Sequence, residues 1–216
     1  MATATKAAPK AKAVEETRVS IPRLKIETFS LTLVGDSPLI IHRFAEKAKR
    51  EMLDKQQGKA STGKQPKDPF RDYVESMYWL SPMPAKPTDA DIAKAKFGFP
   101  SIAFKAAAVD AAVRGADLFK TEARAAFHIP GEMVAIIGHP RMREDTVKIG
   151  QGKTDLRYRG EFADWSAKVD VRFNSGLLTM EQIVNLFNIA GFSTGVGEWR
   201  PQRGGSNGMF HVEIGE

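Results

Sequence analysis

The sequence contains no cysteine, which excludes disulfide bonds, thiolate catalysis and cysteine-ligated zinc. It also lacks an apolar run of the length that a transmembrane helix needs, and its first residues have no apolar signal-peptide core. Acidic residues are not in excess either, since the chain has 26 aspartates and glutamates against 32 lysines and arginines. We therefore expect a cytoplasmic protein without a membrane partner, and its positive charge favours a polyanionic one.

The chain does contain enough apolar sequence for one folded domain. Its hydrophobic fraction of 42% is ordinary for a globular protein. Residues 1–20, rich in alanine, lysine and threonine, have too few large apolar groups to offset the entropy cost of ordering. We predict a flexible basic tail over 1–20 and a single domain over 21–216.

Six segments have the periodicity of regular secondary structure. Alternation of apolar and polar residues, or a short apolar run between glycines, predicts strands within 25–40, 131–138, 165–174 and 209–214. Helical spacing predicts one helix capped by Ser101 and another that begins at a Thr179–Gln182 capping box. The order strand, helix, strand, strand, helix, strand predicts an α+β fold with a ferredoxin-like (RRM-like) βαββαβ core.

Two insertions interrupt that core. After the first strand, residues 43–71 form a short helix and a lysine-rich loop, with nine basic and four acidic residues. Between the second and third strands, residues 139–166 are highly charged, which predicts a hairpin that stands off the body. We expect the first core helix to pack on the sheet through a narrow face formed by Ile102, Ala106, Val109 and Val113.

The segment between the second core helix and the last strand, AGFSTGVGEWRPQRGGSNGMF, combines glycine, arginine and tryptophan. It lacks the third glycine of a dinucleotide fingerprint and the GKS or GKT of a Walker A loop. Glycine amides can approach a phosphate closely, arginine can neutralise it, and tryptophan can stack on a base. We predict that this crossover binds single-stranded nucleic acid; the alternative is a flexible connection whose Trp199 fills the core.

The crossover and the first core helix together resemble signatures of the RAMP superfamily, which includes the backbone subunits of CRISPR effector complexes. The glycine-rich loop has the family's position, and FPSIAFKAAAVDAAV is similar to the family's IPGSSLKGALR. Ser101, Phe104 and Lys105 match its Ser, Leu and Lys, whereas Ala106 stands where the family has glycine. With the hairpin included, the resemblance covers most of 26–214.

The resemblance implies a subunit that binds guide RNA without sequence specificity in the ribonucleoprotein filament of an antiviral defence system. Its partners would be single-stranded RNA, further copies of itself and other effector subunits. We expect no cofactor, no metal site and no catalytic residue. The residues expected to contact nucleic acid are Arg43, Lys47, Arg50, Ser101, Lys105, Gly195, Gly197, Trp199, Arg200, Arg203, Gly204 and Gly205.

Three other functions fit the same sequence. One is a phage-type single-stranded DNA-binding or annealing protein on the same fold, and another is a purely structural assembly protein. The third is a metal-independent endoribonuclease, in which His42 moves a 2′-hydroxyl proton and Arg43 stabilises the charge on phosphorus. Some RAMP proteins cut RNA with an aspartate after the first strand, but here Asp36 is better interpreted as a turn residue. We favour binding over catalysis.

Overall fold

A computed structural model describes residues 23–44, 46–59, 66–115, 118–150 and 152–213, without the side chains of 46–48, 149 and 153. The predicted tail over 1–20 lies outside these residues, as does the middle of the lysine-rich loop. The described part of the chain has an α+β fold in which strands and helices alternate along the sequence. None of its helices is both long and apolar enough to cross a membrane.

The longest strands are β1, β9 and the two strands of the hairpin, and the longest helices are α4 and α6. The strands are β1 (Ile26–Gly35), β2 (Leu39–Ile41), β3 (Tyr78–Trp79), β4 (Phe97–Pro100), β5 (Phe127–His128), β6 (Met133–Ile137), β7 (Pro140–Ile149), β8 (Lys153–Phe162), β9 (Ser166–Asn174) and β10 (Phe210–Glu213). The helices are α1 (Glu46–Gln56), α2 (Pro69–Glu75), α3 (Asp89–Lys94), α4 (Ser101–Gly115), α5 (Lys120–Ala126) and α6 (Met180–Ser193), with a 3-10 helix at Pro201–Arg203.

Seven strands form one sheet in which neighbouring strands run antiparallel. Their order is β10-β1-β9-β6-β4-β3, and β5 pairs with the end of β9. Leu31 of β1 lies opposite Val169 of β9, and Leu33 lies opposite Ala167. Because side chains alternate along a strand, these residues point to the same side of the sheet, where all four are buried. α4 and α6 pack against each other, and the buried residues of both helices join the same hydrophobic core as these strand residues.

Helix α6 begins as its sequence predicts. Thr179 Oγ1 accepts a hydrogen bond from the Gln182 amide at 3.1 Å, and Gln182 Oε1 accepts one from the Thr179 amide at 2.8 Å. This reciprocal pair satisfies two of the amides that a helix N-terminus leaves without partners. The predicted apolar face is confirmed, since Ile183, Leu186, Phe187 and Ala190 are buried.

Helix α4 faces the core with other residues than predicted. Of the predicted face only Val109 is buried, whereas Ile102 is 67% exposed and Val113 is 52% exposed. The buried face instead consists of Phe104 with small residues, Ala107, Ala108, Ala111 and Ala112. A helix that packs closely on its neighbours needs small side chains on its buried face. The prediction was wrong because it assigned the larger aliphatic residues of α4 to that face. The helix also starts at Ser101 itself, one residue earlier than a capping serine implies.

The charged segment after β6 forms the predicted hairpin, β7 with β8, but its base does not stand off the body. β2 pairs with β8 to complete a second, three-stranded sheet, and Phe162 of β8 is fully buried. The Gly160 amide donates to Ser76 Oγ at 2.9 Å, beside α2. The base of the hairpin therefore rests on β2 and on the end of α2, two elements whose short lengths gave no periodic signal.

Candidate nucleic-acid interface

A cleft of about 680 Å³ opens between α4, α5 and the crossover that follows α6. Its walls include Ile102, Lys105 and Ala106 from α4, Arg124 from α5, and Thr194 and Arg200 from the crossover. We call this cavity the α4 cleft. Four of the residues predicted from the sequence to bind nucleic acid meet there, namely Lys105, Gly195, Gly197 and Arg200.

The other predicted residues lie outside the α4 cleft. Ser101 is buried, and its Oγ donates to the Gly131 carbonyl at 2.5 Å, so its hydroxyl serves the fold. Arg203 and Gly204 are exposed further along the crossover, and Gly205 is half-buried. Arg50 is exposed on α1, whereas the Lys47 side chain lies outside the described residues.

The crossover is pinned to the segment around β2 by its backbone. The Gly208 amide donates to the Pro38 carbonyl at 2.8 Å, and the Glu198 amide donates to the Ile40 carbonyl at 3.0 Å. At Gly205 a Cβ atom would lie 1.8 Å from the Trp199 carbonyl oxygen, a distance that no side chain can occupy. This glycine is therefore required because two parts of the crossover pass very close to each other.

The backbone amides of three predicted glycines are already used inside the protein. The Gly195 amide donates to the Ala190 carbonyl at 2.8 Å, the Gly204 amide to the Pro201 carbonyl at 2.9 Å, and the Gly205 amide to the Arg200 carbonyl at 3.2 Å. The hypothesis that bare amides of the crossover cradle a phosphate is wrong at these three positions. At these three positions the amide is therefore not available to an anion.

Trp199 does not fill the core, so the alternative interpretation of the crossover is wrong. Its residue surface is 42% exposed, and its backbone has a φ of 53°, in the left-handed region that bulky residues rarely adopt. The Trp199 carbonyl accepts a hydrogen bond from the Asn207 amide at 3.0 Å, which helps to hold that conformation. An exposed indole on a constrained backbone is suited to stacking against a ligand.

The most unusual electrostatic feature at the α4 cleft is a contact between basic side chains. Lys105 Nζ lies 2.9 Å from His128 Nδ1 and 3.1 Å from the Arg124 carbonyl oxygen, to which it donates. His128 lies directly opposite Arg172 in the pairing of β5 with β9. Within the described ranges, no carboxylate lies within ion-pair distance of Lys105, Arg124 or Arg172.

The pKa shifts of this cluster have a common cause. Burial and the charge of Arg124 lower the pKa of Lys105. Burial, followed by the charges of Lys105 and Arg172, lowers the pKa of His128. Both shifts have the direction expected where positive charges crowd together without counter-charges. We call these four residues, Lys105, Arg124, His128 and Arg172, the basic cluster. Only Lys105 and Arg124 line the α4 cleft, whereas Arg172 lies on the side of the sheet away from α4 and α6.

Arg200 adds a further positive charge to the α4 cleft. Its Nη1 donates to the Gly197 carbonyl at 2.9 Å and its Nε donates to Gln202 Oε1 at 3.0 Å. Both acceptors are neutral, so they orient the guanidinium group without offsetting its charge. The charge of Lys120, by contrast, is offset by Asp110, whose Oδ1 lies 2.9 Å from Lys120 Nζ.

His42 and Tyr78 also line the α4 cleft. His42 Nδ1 lies 3.9 Å from Glu198 Oε1, but burial and the charge of Arg159 outweigh this carboxylate and lower the pKa of His42. Burial raises the pKa of Tyr78, while the charge of Arg43 opposes that shift. Arg43 is therefore close to the cleft although it does not line it. Asp36 lies elsewhere, paired with His211 at 2.6 Å.

The opposite side of the sheet offers no stacking platform on its three longest neighbouring strands. The side chains that point away from α4 and α6 are Thr28, Ser30, Thr32 and Val34 of β1, Ser166, Lys168, Asp170, Arg172 and Asn174 of β9, and Met133, Ala135 and Ile137 of β6. None of these described residues is aromatic, whereas an RNA-recognition sheet stacks bases on aromatic side chains. Lys105, Arg124, Arg200 and Tyr78 instead line the α4 cleft on the helical side.

Several residues of this site could not be found from sequence patterns. His128 and Arg172 meet only through the pairing of β5 with β9, and β5 has two residues. Arg124 lies in α5, a seven-residue helix whose sequence has no distinct periodicity. The feature that distinguishes Lys105, Arg124 and Arg172, that no described carboxylate lies within ion-pair distance of them, appears only in the folded chain and gives no signal in the sequence.

No protein-family model matches the chain, and no curated protein is similar to it in sequence. Among solved structures, the chain is similar to the crystal structure of Cmr6 from Pyrococcus furiosus. The sequence identity is 10% and the TM-score is 0.43, over 88% of this chain and 100% of that chain. At this degree of similarity, neither a function nor a site residue is carried from one protein to the other.

Proposed function

We propose that the protein binds single-stranded nucleic acid, with RNA favoured over DNA, through the α4 cleft and without sequence specificity. The observation that carries this proposal is that Lys105 and Arg124 line the same cleft, and no described carboxylate lies within ion-pair distance of either. Positive charges held together raise the free energy of the unbound protein. A phosphate bound among them would lower it, which is the reason to expect an anionic ligand.

Phosphates would bind to side chains around the α4 cleft rather than to the crossover backbone. Lys105, Arg124 and Arg200 lie around one cavity and could neutralise successive phosphates of a strand. Trp199 offers an exposed ring on which a base could stack. Contacts of this kind follow the backbone of the strand and do not distinguish its bases.

A ferredoxin-like core is part of the proposal. The four predicted core strands are neighbours in the order β10-β1-β9-β6, which places the first strand between the last and the third. One core helix, α4, precedes β6 along the chain, and the other, α6, connects β9 to β10. This arrangement supports a βαββαβ core whose helices share one side of the sheet.

Filament assembly on guide RNA extends the proposal, on the basis of the RAMP resemblance. In such an assembly the β7–β8 hairpin would reach a neighbouring copy, and its exposed Met142 and Leu156 could contact that copy. Sedimentation of the protein with RNAs of increasing length tests this step. The mass of the complex should rise by whole subunits as the RNA becomes longer. A single copy bound to RNA of every length would contradict filament assembly but not the proposed binding of nucleic acid.

Binding is tested by fluorescence anisotropy with labelled oligonucleotides of several sequences. Lys105→Gln should weaken binding of every sequence about tenfold at low salt, because one charge-assisted phosphate contact is lost. The matched control is Lys168→Gln, which removes an exposed lysine from the opposite side of the sheet. Equal losses in the two variants would contradict a site in the α4 cleft. RNA and DNA competitors in the same assay would separate the guide-RNA hypothesis from the DNA-binding alternative.

A metal-independent endoribonuclease is the second candidate, favoured by one observation. His42 and Tyr78 line the α4 cleft beside Lys105, and the lowered pKa of His42 makes it a neutral group that can accept a proton. Labelled RNA incubated without metal should yield discrete products that disappear in His42→Ala. Intact RNA after incubation with the wild-type protein would exclude this candidate.

A further inference from the structure

Thr194 places a hydroxyl without a hydrogen-bond partner in the wall of the α4 cleft. The residue is 2% exposed, and its Oγ1 has no partner among the described residues. The backbone around it is fixed, since its amide donates to the Ala190 carbonyl at 3.0 Å and its carbonyl accepts from the Gln202 amide at 3.2 Å. A buried hydroxyl without a partner destabilises the free protein, so its retention requires an explanation.

Most of the α4 residues that line the same cleft are apolar. Ile102 and Ala106, which were predicted to pack on the sheet, line the cleft instead. Ile102 is 67% exposed there, in the first turn of α4. Tyr78 adds an aromatic ring to the lining. Exposed aliphatic and aromatic groups around a cavity favour a flat apolar ligand such as a nucleobase.

The size and charge of the cleft fit one nucleotide. Its volume of about 680 Å³ lies within the range of about 300–1,000 Å³ that is usual for small-ligand sites. Lys105, Arg124 and Arg200 would hold the phosphates on either side of a base that points inward. The lining thus combines apolar residues of α4 with Thr194, whose hydroxyl is buried. Its charged residues are the basic Lys105, Lys120, Arg124 and Arg200 and the acidic Asp110 and Glu198.

We propose that one nucleobase of the bound strand turns into the α4 cleft, packs on Ile102 and Ala106, and is hydrogen-bonded at its edge by the Thr194 hydroxyl, which is buried in the unbound protein and turns toward the cleft when the base enters. This base site rests on the function proposed above. A threonine hydroxyl both donates and accepts, so it can serve any of the four bases. The base adds affinity and fixes the register of the strand without adding sequence specificity.

Thr194→Val tests the hydrogen bond, because valine has nearly the same shape as threonine but no hydroxyl. Binding of a natural oligonucleotide should weaken about two- to tenfold. Thermal stability without nucleic acid should be unchanged or higher, since no bond within the described fold is lost. The matched control, Thr32→Val in β1, should leave binding unchanged. Unchanged binding by Thr194→Val would overturn the proposed hydrogen bond.

A strand of abasic sugar-phosphate units separates the base site from phosphate binding. Wild-type protein should bind this strand about tenfold more weakly than a natural strand of equal length and charge. Thr194→Val and wild type should bind the abasic strand equally. If wild type binds both strands equally, the base site is overturned and the proposed phosphate binding stands. If wild type binds neither strand, the proposed function fails, and the base site fails with it.

The apolar wall is tested by truncating its most exposed residue. Ile102→Ala should weaken binding of the natural strand about three- to tenfold and leave binding of the abasic strand unchanged. Val113→Ala is the matched control, because Val113 is an exposed aliphatic residue of the same helix outside the cleft. Equal effects of Ile102→Ala on the two strands would contradict contact with a base.

Discussion

Acidification should strengthen nucleic-acid binding through His128. In the unbound protein, burial and the charges of Lys105 and Arg172 lower its pKa, so the ring is neutral at pH 7. In that state Nδ1 can accept a hydrogen bond from Lys105 Nζ, 2.9 Å away. A phosphate bound beside these groups would favour the protonated ring, so binding would take up a proton.

The size of the effect follows from the change in the pKa of His128 on binding. Each unit by which the pKa of His128 rises on binding tightens binding by up to about tenfold, once the pH is below the pKa of His128 in the unbound protein. One opposite charge in contact commonly shifts a pKa by about one unit or more. Affinity should therefore rise about tenfold from about pH 7.5 to about pH 5. The charged groups that act on His128 are Lys105 on α4 and Arg172 on β9.

Fluorescence anisotropy at fixed ionic strength measures this dependence. His128→Asn should abolish most of the pH effect, because asparagine keeps a hydrogen-bonding side chain but does not titrate. His211→Asn is the control, since His211 is exposed and pairs with Asp36 outside the α4 cleft. The reasoning is refuted if His128→Asn retains the full pH effect, or if wild-type binding weakens on acidification.

Three other predictions concern the salt dependence of binding, the backbone at Gly205 and the stability of the unbound protein at acidic pH. In a salt titration, the logarithm of affinity should fall with the logarithm of salt concentration at a slope of about 2 for three neutralised phosphates. Arg200→Gln should lower that slope by about 0.7. An unaltered slope would exclude a contact between Arg200 and a phosphate. Gly205→Ala should lower the free energy of unfolding by about 1–3 kcal/mol, measured in urea, because its Cβ would collide with the Trp199 carbonyl. The pKa values of His42 and His128 are lowered in the folded protein, so the unfolded chain binds more protons at mildly acidic pH. Thermal stability without nucleic acid should therefore fall as the pH drops below about 6.5. A melting temperature that does not change with pH in this range would contradict these shifts.

Periodicity and local hydrogen bonding made several elements predictable. In β9, the buried residues Val169, Val171 and Phe173 alternate with exposed ones. The alternation of apolar and polar residues in its sequence therefore predicts correctly which side chains are buried. The capping box at Thr179 is a contact within four residues and needs nothing from the rest of the chain. The buried face of α4 was mispredicted because its alanines contribute little hydrophobic area, while Ile102 faces a cleft that exists only in the folded protein.

The site was only partly predictable, because its geometry depends on distant pairings. From glycine, arginine and tryptophan in the crossover we predicted a segment that binds nucleic acid, but three of its glycine amides donate within the protein. The partners of its amides were not predictable, since the Pro38 and Ile40 carbonyls come from the other end of the chain. The contact of Lys105 with His128 likewise spans 23 residues and depends on where a two-residue strand joins the sheet.

The location of the bound strand is tested most directly by ultraviolet cross-linking to a single-stranded RNA, followed by mass spectrometry of the cross-linked peptides. Binding in the α4 cleft predicts that cross-links fall in residues 97–128 and 194–205, and that β1 and β9 carry few. Cross-links concentrated on the side of β1 and β9 away from the helices, with none in α4, α5 or the crossover, would contradict it.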